Sequence, residues 1–152
     1  MSARELAEPY PYVSTDDAAT DAALLLAEHK LPALLVTDRD EQPYAIVPGS
    51  QLLGQLVPAY ALEDQHLAAS MDDRDIDEVP EKLARLTVAE WLPPRRFRPP
   101  TVGPDASVMH IAALMARTHT PLVAVVERSG ERTRLAGAVT AARLLERLVG
   151  RT

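Results

Sequence analysis

The stretch GAVTAAR at 137–143 places Gly137, Thr140 and Arg143 where the chain reads as the end of a strand followed by the start of a helix. A threonine at such a junction can cap the helix, because its hydroxyl oxygen accepts one of the N–H groups left without a partner in the first turn. That same turn attracts anions, and Arg143 carries five donors and no acceptor, so the corner could hold a phosphate or a carboxylate. The residues admit two readings, a capped corner or a ligand site. A second candidate, the acidic stretch with Asp72, Asp73, Asp75, Asp77 and Glu78, alternates acids as a calcium loop does. Counted from Asp73, its sixth position is Glu78 where the turn needs glycine, and its twelfth is Ala84 where a glutamate should close on the ion, which favours a solvated linker. His29, His66, His110 and His119 lack metal-ligand spacing, and with no cysteine there is no thiolate ligand, thiol nucleophile or disulfide. No glycine-rich phosphate loop and no Gly-x-Ser-x-Gly elbow occurs, since Gly49 and Ser50 are followed by Gln51 and Leu52. Neither catalytic residues nor a metal site are expected, and the chain is not expected to be an enzyme.

Charge bounds the partners. The 152 residues carry 16 Lys+Arg against 22 Asp+Glu, a formal net charge of −6. That balance argues against nucleic acid or an anionic membrane surface, both of which need a basic face. The opening MSARELAEPYPYV lacks the apolar core of a signal peptide, and no run approaches the roughly 18 apolar residues that would insert into a bilayer, so a cytoplasmic location is expected.

The elements that must position the corner emerge from an internal repeat. Val13 aligns with Val102, Asp16 with Asp105, Ala23 with Ala112, Leu25 with Leu114, Pro32 with Pro121 and Val36 with Val125, all at a spacing of 89 residues. Beyond two polar, turn-like stretches, DRDEQP and ERSGERTR, the spacing becomes 92, where Val47 meets Val139, Leu53 meets Leu145 and Leu56 meets Leu148. Each copy reads as entry strand, amphipathic helix, two apolar strands joined by a hairpin, and closing helix. In the first copy these fall at about 12–13, 17–29, 33–37, 44–47 and 50–56; in the second at about 101–102, 107–117, 122–126, 136–139 and 141–149. The expected organisation is 1–57 as the first repeat, 58–86 as a helical linker or insertion with short helices near 58–67 and 80–86, and 87–152 as the second repeat. Residues 87–92 lead through a proline-rich connection into the second entry strand, and 2–6 form a fainter copy of that lead-in.

The ordered set of motifs, occurring twice, resembles the CBS domain, named after cystathionine β-synthase, and the pair resembles a Bateman module. Its carriers are VGPDASVM at 102–109, ALM at 113–115, HTPLVAV at 119–125 and GAVT at 137–140, with VSTD at 13–16, LPALLV at 31–36 and AIV at 45–47 in the first copy. The resemblance implies an α/β (α+β) fold in which two β-α-β-β-α repeats pack sheet to sheet as a pseudo-symmetric pair, and a disc-shaped homodimer of such pairs. It further implies regulatory binding of an adenosine nucleotide, AMP, ADP or ATP, or of S-adenosylmethionine, in clefts between the copies, and control of an enzyme or transporter.

In ligand-binding members the corner reads Gly, two apolar residues, Thr or Ser, two others, then Asp; the hydroxyl meets phosphate and the Asp accepts both ribose hydroxyls. Here the second copy keeps Gly137 and Thr140 but carries Arg143 at the acid's position, and the first copy, AIVPGSQ at 45–51, lacks both hydroxyl and acid. Losing the acceptors for two buried hydroxyls costs about 1–3 kcal/mol each. Gln51 can still accept one hydrogen bond. The residue two before the strand proline is often basic and faces phosphate in the family; Lys30 before Pro32 and His119 before Pro121 hold those places, which could equally be solvated helix ends. Arg95, Arg96 and Arg98 add positive charge that could reach the second cleft. The expected ligand site is therefore Thr101, Val102, His119, Thr120, Pro121, Gly137, Thr140 and Arg143 in the second copy, with Lys30, Pro32 and Gln51 in the first. The expected function is that of a stand-alone regulatory or sensor module. The alternative is a structural interaction or dimerisation module whose degenerate clefts stay empty and whose surface docks a transporter or enzyme.

Overall fold

A computed structural model describes residues 1–57, 59–71, 76–94 and 98–150. After α1 (Ala3–Leu6), the first unit consists of β1 (Val13–Ser14), α2 (Ala19–His29), β2 (Ala33–Thr37), β3 (Pro43–Pro48) and α3 (Gly49–Gly54). The short helices α4 (Ala59–Glu63), α5 (Gln65–Ser70), α6 (Val79–Ala84) and α7 (Val88–Trp91) follow. The second unit is β4 (Thr101–Val102), α8 (Val108–Thr118), β5 (Leu122–Ser129), β6 (Arg132–Thr140) and α9 (Ala141–Leu148). The fold is mixed α+β, with two three-stranded sheets ordered β1-β2-β3 and β4-β5-β6, each combining a parallel entry pair with an antiparallel hairpin. Among the described residues no helix is long and apolar enough to cross a membrane.

The continuous apolar runs follow from burial on both faces of each sheet. Along β2, Leu34 and Val36 face the helical side with Ala22 and Leu52, while Ala33 and Leu35 face the other sheet and meet Leu122, Ala124 and Ala138. Along β5 the alternation repeats, with Val123 and Val125 against Ile111 and Leu144. The sheets thus pack on each other across a shared layer, the pseudo-symmetric pair anticipated from the repeat. Both amphipathic helices end the same way, in a left-handed residue, Lys30 at φ 51° and His119 at φ 54°.

Three features differ from the sequence reading. First, ERSGERTR is strand rather than loop. β5 and β6 run on to a two-residue turn at Gly130 and Glu131, where Gly130 (φ 68°) supplies the positive φ that a tight hairpin needs at its first central position. The extension stands clear of the core, so its residues are polar and mimic a loop. Second, α2 begins at Ala19 rather than 17 because Asp17 is used outside the helix, its Oδ2 accepting from Ser14 N at 2.8 Å. Third, the lead-in helices are exchanged. Val88, Trp91 and Leu92 lie in the core of the first unit, whereas Ala3 and Leu6 lie in the core of the second. Equivalent hydrogen bonds hold both: Val88 N donates to Asp17 O and Ala89 N to Thr15 O, while Ala3 N donates to Ala106 O and Arg4 N to Pro104 O. A capping box fixes α7, with Thr87 and Glu90 bonded reciprocally; the bonds from Thr87 hold the Glu90 carboxyl below its ordinary range.

Candidate functional site

The corner between β6 and α9 assembles from strand register. Thr140 pairs with Leu122, and Ala141 N donates to Pro121 O at 2.9 Å, which brings Pro121, Thr140 and the first turn of α9 together. Thr140 caps that helix, its Oγ1 accepting from Arg143 N at 3.1 Å. In the first unit Gly49 N donates to Pro32 O at 3.3 Å, but Pro48 offers no side-chain cap and Gln51 is exposed. The retained hydroxyl therefore makes one corner a finished helix start and leaves the other with backbone bonds alone.

A residue absent from the sequence reading completes the second corner. Glu8 and Ala138 exchange backbone hydrogen bonds, each 3.0 Å, so the segment after α1 lies along β6 as a strap. A Cβ at Gly137 would sit 2.9 Å from Glu8 O, so the glycine is required by this close approach. The Glu8 carboxylate comes within 3.2 Å of Arg143 Nε, and Glu146 Oε2 lies 3.8 Å from the guanidinium. Arg143 Nε is nonetheless buried without an aligned hydrogen bond. The guanidinium at this corner is thus held between two carboxylates, those of Glu8 and Glu146. Nothing local in EPYPY marks Glu8 as Arg143's partner; only the tertiary bridge does.

The other nominated residues are more dispersed. Thr101 pairs with Ala124 at the sheet's edge and is exposed, whereas Val102, paired with Val125, is buried in the second core. His119 is exposed and closes α8, its N donating to Met115 O; Thr120 Oγ1 is 2.7 Å from Thr118 Oγ1, a local contact. Lys30 closes α2 in the same manner and is exposed, as is Pro32. Thr101 and Arg98 share a cavity of about 380 Å³ with Gln42, Pro43, Val126 and Thr133. Gln42 Nε2 donates to Thr133 O and Thr133 Oγ1 donates to Gln42 Oε1, joining the two hairpins across the units. Arg95 and Arg96, and the acidic residues Asp72, Asp73 and Asp75, lie outside the described residues.

Comparison with known proteins agrees with this architecture. The family model of the CBS domain matches residues 93–150. No curated protein matches the sequence. A CBS domain-containing protein of unknown function from Kribbella flavida DSM 17836 is 40% identical in sequence, with 99% of each chain covered and a TM-score of 0.83. The structure of CBSX2 in complex with AMP is 19% identical over 97% of this chain and 96% of that one, with a TM-score of 0.66. The CBS domain of a bacterial CNNM/CorC family Mg2+ transporter in complex with ATP is 17% identical over 100% of this chain and 89% of that one, with a TM-score of 0.68. At such identities the last two share the fold.

Proposed function

The chain belongs to the CBS domain family, and from that premise we propose that it is a cytoplasmic regulatory module in which an adenosine nucleotide or related anion binds at the corner between β6 and α9. One observation carries the reading: Arg143 Nε is buried at the start of α9 with a carboxylate 3.2 Å away and no hydrogen bond made. A phosphate oxygen would satisfy that donor and exchange with Glu8, freeing the strap that Glu8 belongs to. The CBS domains solved with AMP and ATP lend support through their shared fold. Because Arg143 stands where a ribose-binding acid would be, affinity resides in the phosphates and rises from AMP to ADP to ATP, with S-adenosylmethionine, a sulfonium cation, disfavoured. Regulation follows if the ligand prefers one placement of the strap over another, since only differential affinity shifts such an equilibrium.

Isothermal titration and thermal shift with AMP, ADP, ATP and S-adenosylmethionine test this. At a hundredfold excess over its dissociation constant, a ligand selective for the native state adds about 2.7 kcal/mol, a readily measured rise in Tm. Arg143→Ala is expected to weaken ATP by about tenfold or more. Glu8→Gln, which removes the competing carboxylate, is expected to tighten it by up to about fivefold, matching the roughly 0.2–1 kcal/mol of an exposed ion pair. Unchanged ATP affinity in Arg143→Ala removes the corner from the site. Silence towards all four compounds would favour the rival reading, a structural docking module with closed corners, to which the uncapped Pro48 and exposed Gln51 of the first unit already incline. The homodimer belongs to either reading.

A further inference from the structure

The two units differ in how far their middle strands are covered. β2 is paired to its last residue, with Val13 opposite Val36, Ser14 opposite Thr37, and Thr15 N donating to Thr37 O at 3.0 Å. β5 is not, because β4 pairs only Thr101 with Ala124 and Val102 with Val125 before the chain departs at Gly103. Residues 127–129 continue beyond it with β6 on one side alone. Since Ser129 and Arg132 close a two-residue turn, antiparallel alternation directs the N–H and C=O groups of Glu127 towards β6 and those of Val126 and Arg128 outward. On that outer side the parallel pairing of Val102 with Val125 directs the Val126 N–H to Val102 O, and among the described residues the Val126 carbonyl and both backbone groups of Arg128 receive no hydrogen bond from outside the hairpin.

This free edge borders a cavity of about 630 Å³ walled by Arg4, Gly103, Pro104, Val126, Arg128 and Thr133. Its far wall is fixed, because Arg4 N donates to Pro104 O at 2.9 Å and α1 is seated in the second core. The adjoining cavity that contains Arg98 shares Val126 and Thr133 with it. Among the described residues Arg98 and Arg128 form no ion pair, and Arg4 has only a solvated one with Asp105 at 3.6 Å. The one acid on the cavity wall, Glu127, is engaged by Arg134 at 3.5 Å. A chain of net charge −6 thus presents a locally basic groove along an unpaired strand.

We propose that the outer edge of β5, from the Val126 carbonyl to Arg128, docks an extended acidic peptide by strand addition. The Arg128 amide and the carbonyls of Val126 and Arg128 supply the main-chain bonds, and carboxylates on alternate peptide residues meet Arg128, Arg4 and Arg98. A second copy of the same edge is a poor occupant, because it would bring arginines against arginines.

The test is titration of the isotope-labelled protein, followed by amide resonances, with a short peptide alternating glutamate and valine, its lysine counterpart, and a version N-methylated at alternate residues. The glutamate peptide is expected to shift the Arg128 amide most strongly, the lysine peptide to be inert, and N-methylation in the register facing the edge to abolish binding. Arg128→Glu, on an exposed position, is expected to weaken the glutamate peptide by about tenfold, and Arg4→Glu gives an independent check. Shifts confined to α9, equal affinity in both variants, or no binding near about 1 mM to protein that retains its native spectrum would each overturn the proposal.

Discussion

At Gly137 an added methyl group would lie 2.9 Å from the Glu8 carbonyl oxygen and 3.3 Å from Ala7 Cβ. The nearer atom is backbone, tied in turn by the bonds between Glu8 and Ala138, so it cannot swing aside as a flexible side chain would. Gly137→Ala is accordingly expected to cost about 1–3 kcal/mol, the usual range for overpacking. The midpoint of urea unfolding checks this, and a loss below about 0.5 kcal/mol would show that the strap yields freely. The repeat-equivalent position carries Ala45, and among the described residues no β-bridge corresponding to that of Glu8 and Ala138 occurs in the first unit. The glycine is thus accounted for by the strap whether or not a ligand binds. Thr140 was legible in sequence because a hydroxyl at a strand-to-helix junction has a local purpose, and the cap bond to Arg143 N is present. Glu8 was not, because its purpose depends on a residue 135 positions away.

The strap continues from Glu8 to Tyr10, whose hydroxyl donates to Ala33 O at 2.6 Å beside the layer shared by the sheets. Burial pushes this phenol up to about 12. In the unfolded chain it titrates near about 10, so between those values the unfolded state loses a proton that the native state keeps. The stability Tyr10 contributes is complete below about pH 10 and is lost as pH rises towards about 12. Tyr10→Phe should flatten that part of the profile, read as the change in urea midpoint between about pH 9 and about pH 11; parallel profiles would mean the phenol is not held neutral. At this scale the amphipathic helices and apolar strands were legible from their periods, since one buried face leaves a clear pattern. The extended hairpin was not, because Arg132, Arg134 and Ala136 point into solvent and give no contrast with a loop. Nor was the exchange of lead-ins: the apolar character of Leu6 or Trp91 says that a face is buried, not which unit buries it.

The molecule as a whole carries matching apolar residues on the outside of both units. Leu53 of α3 is 64% exposed and its repeat equivalent, Leu145 of α9, is 59% exposed, with Leu148 beside it at 51%. On α9 the inward face belongs to Leu144, at 4%, so the outward pair is unspent rather than misplaced core. A single exposed leucine is ordinary, but repeat-related leucines on two closing helices suit a self-complementary interface, in which each copy presents the same patch to the other. The reading is a homodimer through α3 and α9, and Leu145→Glu should break it by placing a carboxylate in the contact. Sedimentation velocity is expected to give a dimer for the native chain and a monomer for the variant, with stability altered by no more than about 0.5 kcal/mol because the position is exposed. A native chain that stays monomeric at about 100 µM would remove the interface. Such a dimer would also bear on the corner, since α9 carries Arg143 in its first turn and the exposed Leu145 and Leu148. A ligand that shifts α9 must change the dimerisation constant, and by linkage dimerisation must change ligand affinity by the same factor. ATP affinity measured on either side of the dimerisation midpoint should therefore differ for the native chain and coincide for Leu145→Glu.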